Sequence, residues 1–130
     1  MLVRENRGDT PWTENHPTGF MRLHALDAWV RDASVLTDLE RLREILYTGA
    51  LAGGATVVGE EVCVFANDAV TGVLVLAQSH LSIHTWPEFG LANIDLLSYG
   101  DLRGDDVLRV ICEGLDVERA SIVCVPRSIG

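Results

Sequence analysis

Residues 55–99, ATVVGEEVCVFANDAVTGVLVLAQSHLSIHTWPEFGLANIDLLSY, decide how this 130-residue chain folds. They hold four β-rich segments, ATVVGEEVCVFA, VTGVLVLA, SHLSIHTW and LANIDLLSY, rich in valine, isoleucine and leucine. The breaks between them are short: Asn67-Asp68, Ser79 itself and Pro87-Glu88-Phe89-Gly90 punctuate the segments.

Outward from this block the pattern changes period. Thr37-Asp38-Leu39-Glu40 has the spacing of a capping box, and Leu39, Leu42, Ile45 and Leu46 recur along one helical face until Gly49 and Gly53-Gly54. Asp105 to Leu115 supplies a second helix, with Val107, Leu108, Ile111 and Leu115 on one side. Phe20 to Val30 reads as a first strand, although Phe20, Leu23, Leu26 and Trp29 also fit a helical spacing. Ala120 to Val125 closes the chain as a strand. Residues 1–18 are polar and without usable period, which predicts a mobile or weakly docked arm ahead of a single domain over 19–130. The order β-α-β-β-β-β-α-β predicts an α+β two-layer sandwich: an antiparallel sheet with two helices packed on one face. Strands such as GVLVLA are apolar on both sides, so the other sheet face needs a cover, and a homodimer packed sheet on sheet supplies one.

A 48% hydrophobic composition affords a core, and the formal net charge of −9 argues against nucleic acid or an anionic membrane as partner while suiting a cationic small substrate. No apolar run approaches bilayer length and no signal-peptide pattern opens the chain, so a cytoplasmic location is expected. Cys63, Cys112 and Cys124 form no CxxC pair and read as reduced thiols, with no structural zinc site indicated.

The third β segment carries the chemistry. Strand alternation puts Ser79, Leu81, Ile83 and Thr85 on one face and His80, Ser82, His84 and Trp86 on the other. A solvated edge or a satisfied polar seam fits this pattern as well as a reactive site does. Joint metal ligation does not fit, because four residues of strand separate His80 and His84 by about 13 Å. A serine hydrolase does not fit either, since Ser79 lacks the glycine-flanked elbow that exposes such a nucleophile. Asp95 fits a supporting or a structural carboxylate equally, and His80 fits a structural hydrogen bond.

The run S-H-L-S-I-H-T-W-P-E-F-G, with G-A-T-V-V upstream and I-D-L downstream, resembles the prokaryotic S-adenosylmethionine decarboxylase proenzyme family. The likeness runs without gaps from about Gly53 to Gly100 and more loosely from Gly19 to Val125. It implies a pyruvoyl-dependent lyase made as a zymogen. By autocatalytic cleavage, Gln78-Ser79 would split into a β chain of 1–78 and an α chain of 79–130, Ser79 becoming the pyruvoyl group that forms a Schiff base with the substrate amine. It further implies His84 as the processing proton acceptor and donor, Thr71 as the assisting hydroxyl, and Phe65 and Glu88 as substrate-binding residues. No metal or outside cofactor is implied. The implied activity is decarboxylation of S-adenosylmethionine, supplying aminopropyl groups for polyamine (spermidine) biosynthesis, by a homodimer of cleaved protomers.

The family's catalytic proton donor is a cysteine in a T-C-G segment, and Ser98-Tyr99-Gly100 stands there instead. A free thiol titrates near pH 8.5 and a free phenol near 10, and the phenol is bulkier. Three readings follow: a decarboxylase of S-adenosylmethionine with Tyr99 at the donor position, a pyruvoyl-dependent decarboxylase of L-arginine or L-ornithine, or a non-catalytic regulatory relative.

Overall fold

Alternation along each strand sorts the apolar residues onto a common face, and that face decides where the helices sit. The computed structural model describes residues 2–6 and 21–128. Its strands are β1 (Leu2–Asn6), β2 (Met21–Val30), β3 (Val57–Val64), β4 (Val70–Leu76), β5 (Ser79–Trp86), β6 (Leu91–Tyr99) and β7 (Val117–Arg127), and its helices are α1 (Leu39–Ala52) and α2 (Gly104–Leu115). The strands form one sheet in the order β1-β7-β2-β6-β5-β4-β3. Four consecutive strands, β3 to β6, pair antiparallel as neighbours, and β2 is inserted between β6 and β7.

The α+β sandwich expected from the sequence is the observed architecture, with one addition. Leu2–Asn6 form β1, which pairs parallel to β7 at the sheet edge. The remainder of the expected arm, Met1 and residues 7–18, lies outside the described residues, as does Phe20. The last strand is longer than the predicted 120–125 segment because β2 pairs with it as far as Arg127.

The register Leu74–Leu81–Leu96–His24 and the row Ile83–Ile94–Leu26–Ile122 define the face under the helices. Leu81, Ile94 and Leu96 have no exposed surface there. They pack with Leu42, Ile45, Leu46, Leu108 and Ile111 from α1 and α2 into one core. Removing a side chain such as Leu96 would cost about 2–5 kcal/mol, since transfer and cavity terms add. The two helices touch closely at Gly49, where a Cβ would come within 2.7 Å of Ile111 Cγ1.

The capping residue differs from the expected one. Asp38, not Thr37, caps α1, its carboxylate accepting from the Arg41 amide at 3.1 Å. Thr37 belongs to a preceding 3-10 turn, Ala33–Thr37, and donates to the Ser34 carbonyl at 3.2 Å. That turn is pinned from inside the core: Thr85 Oγ1 donates to the Leu36 carbonyl at 2.8 Å and accepts from the Val70 amide at 2.9 Å. On the edge of the helix layer Arg43 reaches from α1 to Glu60 on β3, holding the Glu60 carboxyl below the usual carboxylate range through that hydrogen bond. Among the described residues no helix is long and apolar enough to cross a membrane.

Among the described residues no helix packs on the second sheet face. Val75, Val123 and Val125 are 47%, 41% and 42% exposed upon it.

Candidate active site

The open face is crossed by a row of polar side chains in register. Thr71 on β4 is paired with His84 on β5, His84 with Asn93 on β6, and Asn93 with Asp27 on β2. Directly paired residues share a face with side chains in contact range, so four strands bring these groups into one line. Thr71 Oγ1 and His84 Nδ1 share a hydrogen bond of 2.6 Å. When the Nδ1 proton is donated to Thr71, the Nε2 lone pair is left as a base; with the other tautomer Nε2 carries the proton.

Aromatic rings frame that imidazole. Trp86, two residues along β5, stands edge-on to His84 with centroids 4.3 Å apart, and Phe65, just past β3, does so at 6.1 Å. Trp86 Nε1 donates to Asn93 Oδ1 at 2.6 Å, and Asn93 Nδ2 donates to Asp27 Oδ1 at 2.7 Å. Phe89, 66% exposed, continues the apolar wall at 6.4 Å from Trp86. Glu88 lies in the 3-10 turn Pro87–Phe89 and accepts from Asn67 Nδ2 at 3.1 Å.

The structure therefore brings Phe65, Thr71 and His84 together, and places Glu88 in the turn that follows Trp86, bonded to Asn67. Trp86, Phe89, Asn93 and Asp27 complete the group and were not singled out. Alternation already put Trp86 on the face of His84, whereas Asp27 is 66 residues from Asn93, and only the β2–β6 pairing joins them.

Ser79, Gln78 and Tyr99 lie elsewhere, at the other end of β5. Ser79 begins that strand and its hydroxyl donates to the Leu97 carbonyl of β6. Gln78 precedes it in a two-residue turn with φ of +61°, a left-handed conformation that costs a non-glycine residue about 1–2 kcal/mol. Tyr99 ends β6, on the open face beside Met21. Ser79 shares its face with Leu81 beneath the helices, while His84 is five residues on and faces the opposite way. About 17 Å of strand separates the two in one protomer. His80 pairs with Leu97, and Asp95 with Ser82, both on the open face between these two ends. Among the described residues no three histidine, cysteine or acidic side chains converge as a metal site would require.

A family model described as S-adenosylmethionine decarboxylase matches residues 22–128. A Symbiobacterium thermophilum protein named S-adenosylmethionine decarboxylase proenzyme is 54% identical over 65 residues, which make up 50% of this chain and 49% of that protein, so the matched stretch spans about half of that relative's length. One of the same name from Methanococcus maripaludis is 33% identical over 105 residues, covering 80% of this chain and 86% of the relative. The crystal structure of the adenosylmethionine decarboxylase from Aquifex aeolicus superposes with a TM-score of 0.79 at 29% identity, covering 88% of this chain and 95% of that one. With the family model spanning β2 to β7, and with the fold shared, the chain belongs to the S-adenosylmethionine decarboxylase family.

Proposed function

We propose that the chain is a self-processing decarboxylase that cleaves between Gln78 and Ser79, converts Ser79 to a pyruvoyl group, and decarboxylates S-adenosylmethionine for polyamine synthesis. The observation that carries this reading is the junction itself: a glutamine in a left-handed conformation immediately precedes the serine that opens β5. The peptide to be broken sits in a strained turn, and the nucleophile is attached to the next residue. Ser79 Oγ attacks the Gln78 carbonyl carbon, exchanging amide for ester, and elimination across Cα–Cβ then frees the 1–78 chain.

When formed, the pyruvoyl carbonyl condenses with a substrate amine and takes up the electrons released as carbon dioxide departs. The chain's own residues do the rest. Phe65 offers a ring face to a planar base, Glu88 a carboxylate to hydroxyl groups, and His84, held by Thr71, accepts and returns protons.

The separation of Ser79 from its own His84 supports an active site built from two copies. Packing the open faces together by a two-fold axis covers Val75, Val123 and Val125 and brings the Thr71–His84 pair of one copy toward the Ser79–Tyr99 end of the other. A small homodimer of cleaved protomers is the assembly this reading requires.

Tyr99 supports a second substrate class. Its phenol takes the place of the family's thiol at the Ser79 end of the open face, and Asp95, four residues back along β6 on the same face, supplies a carboxylate suited to the side chain of arginine or ornithine. The test is twofold. Intact mass of the purified protein is expected to give two chains divided at position 79, and a single uncleaved chain favours a non-catalytic role. Carbon dioxide release is then measured with S-adenosylmethionine, arginine and ornithine; release from arginine or ornithine alone would reject the first substrate.

A further inference from the structure

His24 and Ser98 form a buried pair that the reading above leaves without a role. Only three polar residues are buried among the described ones, His24, Thr85 and Ser98, and Thr85 is accounted for by its bonds to Leu36 and Val70. The other two meet each other: His24 Nε2 lies 3.2 Å from Ser98 Oγ, and that hydroxyl donates to the Arg22 carbonyl at 3.4 Å.

Their position relates them to Ser79. His24 is in register with Leu96, and Leu96 with Leu81, which puts the imidazole on the helix side of the sheet, as it puts Ser79. Continuing the β5–β6 register by one step from His80–Leu97 sets Ser79 opposite Ser98, where paired Cα atoms stand about 4.5–5.5 Å apart. The Ser79 hydroxyl already donates to the carbonyl of Leu97, the residue next to Ser98. From the other side the ring is held by Gly104, the first residue of α2, where a Cβ would fall 2.6 Å from Nε2. Cys124 on β7 and Leu96 on β6 flank His24 in register.

We propose that His24, acting through the Ser98 hydroxyl, takes the proton from Ser79 Oγ and returns it to the Ser79 nitrogen, so that self-cleavage uses a second histidine on the helix side of the sheet. The proposal rests on the self-processing reading. Ser79 must lose two different protons, from Oγ in the acyl shift and from Cα in the elimination. On a strand the side chain and the Cα–H project in different directions, and His84 lies on the face away from the Ser79 side chain. Ser98 lies on the near face, so the Oγ proton goes to His24 and the Cα proton to the His84 of the second copy packed on the open face.

The exchange balances without another reactant. With His24 protonated at Nδ1 and the Ser98 hydroxyl turned from the Arg22 carbonyl to Nε2, the Ser79 Oγ proton passes to Ser98 Oγ as the Ser98 proton passes to His24 Nε2, and the Ser79 oxygen bonds the Gln78 carbonyl carbon. The bond from that carbon to the Ser79 nitrogen then breaks. The proton held by His24 returns through the same hydroxyl to the nitrogen, leaving an ester and a free amine. His24 is thus a positioning and relay residue, since it touches the reacting atoms only through Ser98.

The experiment follows cleavage of the full chain by intact mass from the moment of synthesis in a cell-free reaction. Ser98→Ala and His24→Gln are each expected to slow cleavage tenfold or more, and Ser98→Thr, which keeps a hydroxyl, to restore it to within about threefold. Ser98→Ala removes one oxygen and keeps the fold testable if His24→Gln does not fold; melting temperatures measured in a Ser79→Ala background report this. Cleavage of Ser98→Ala at the parent rate would overturn the relay while leaving self-processing intact. A parent chain that never cleaves would overturn the self-processing reading and the relay together.

Discussion

Thr71 on β4 and His84 on β5 stand directly opposite each other, and their side chains share a hydrogen bond of 2.6 Å. The pair couples a hydroxyl to one imidazole nitrogen, and the proposed processing role falls to the other. Replacing Thr71 by alanine removes the group that fixes the orientation of the ring. Self-cleavage is expected to slow by roughly 10–100-fold, in the range of a lost general acid–base contribution. Thr71→Ser should cleave at close to the parent rate, and His84→Ala should remain a single chain on a denaturing gel.

Gln78 at φ of +61° makes a backbone prediction. Proline fixes φ near −65°, so Gln78→Pro cannot occupy this turn and is expected not to cleave. Glycine adopts the same angle without strain. In a Ser79→Ala background, Gln78→Gly should stabilise the uncleaved chain by about 0.5–1 kcal/mol in urea unfolding. Its cleavage, with Ser79 present, should slow by no more than about fivefold, the rate equivalent of that strain.

Tyr99 is expected to govern substrate choice. If the proposed S-adenosylmethionine activity holds, Tyr99→Cys places a more acidic group at the donor position and should raise carbon dioxide release by about tenfold or more. If the chain prefers a basic amino acid, the same change should lower release from that substrate. Parallel assays of the two substrates on one cleaved preparation distinguish the outcomes.

The chain Trp86–Asn93–Asp27 holds an aromatic wall against His84. Asn93→Ala removes both hydrogen bonds and is expected to cost about 1 kcal/mol of stability, since each exposed bond contributes little net. The larger effect should fall on Trp86, whose tryptophan fluorescence should shift to the red as the indole is released toward water. An unchanged spectrum would mean that packing against His84 suffices to hold the ring.

Burial pushes the Cys112 thiol up to about 11, while Cys63 is exposed on β3. Cys63 should therefore react with a thiol reagent at pH 8, and Cys112 only on unfolding. The sign of the pH effect follows from linkage. Between about 9 and 11 the unfolded chain releases the Cys112 proton and the folded chain keeps it, so this group lowers stability as pH rises through that window. Cys112→Ala should flatten the alkaline limb of stability against pH, read by urea unfolding at each pH.

Much of this was legible from local pattern. Two-residue alternation over Ser79 to Trp86 assigned each side chain its face before any pairing was known, and the breaks at Asn67-Asp68 and Pro87–Gly90 marked the turns. The first turn of α1 was less legible. Thr37 and Asp38 are adjacent residues of similar capping ability, and only the 3-10 turn ahead of the helix makes Asp38 the cap. β1 was missed because a short segment gains its order from the partner strand it adds to, and its own residues carry little signal.

By itself, the sequence determined the two helices, the strands from β2 to β7 and the run from Ser79 to Gly90, because periodicity and turn chemistry act between residues close in the chain. The tertiary structure decided which distant residues share a face. Asp27 reaches Asn93, and His24 reaches Ser98, across the β2–β6 pairing. Ser79 and His84, only five residues apart, are held on opposite sides of the sheet. The physical reason is the strand itself: it extends neighbours in sequence away from each other, while register brings remote residues within hydrogen-bonding distance.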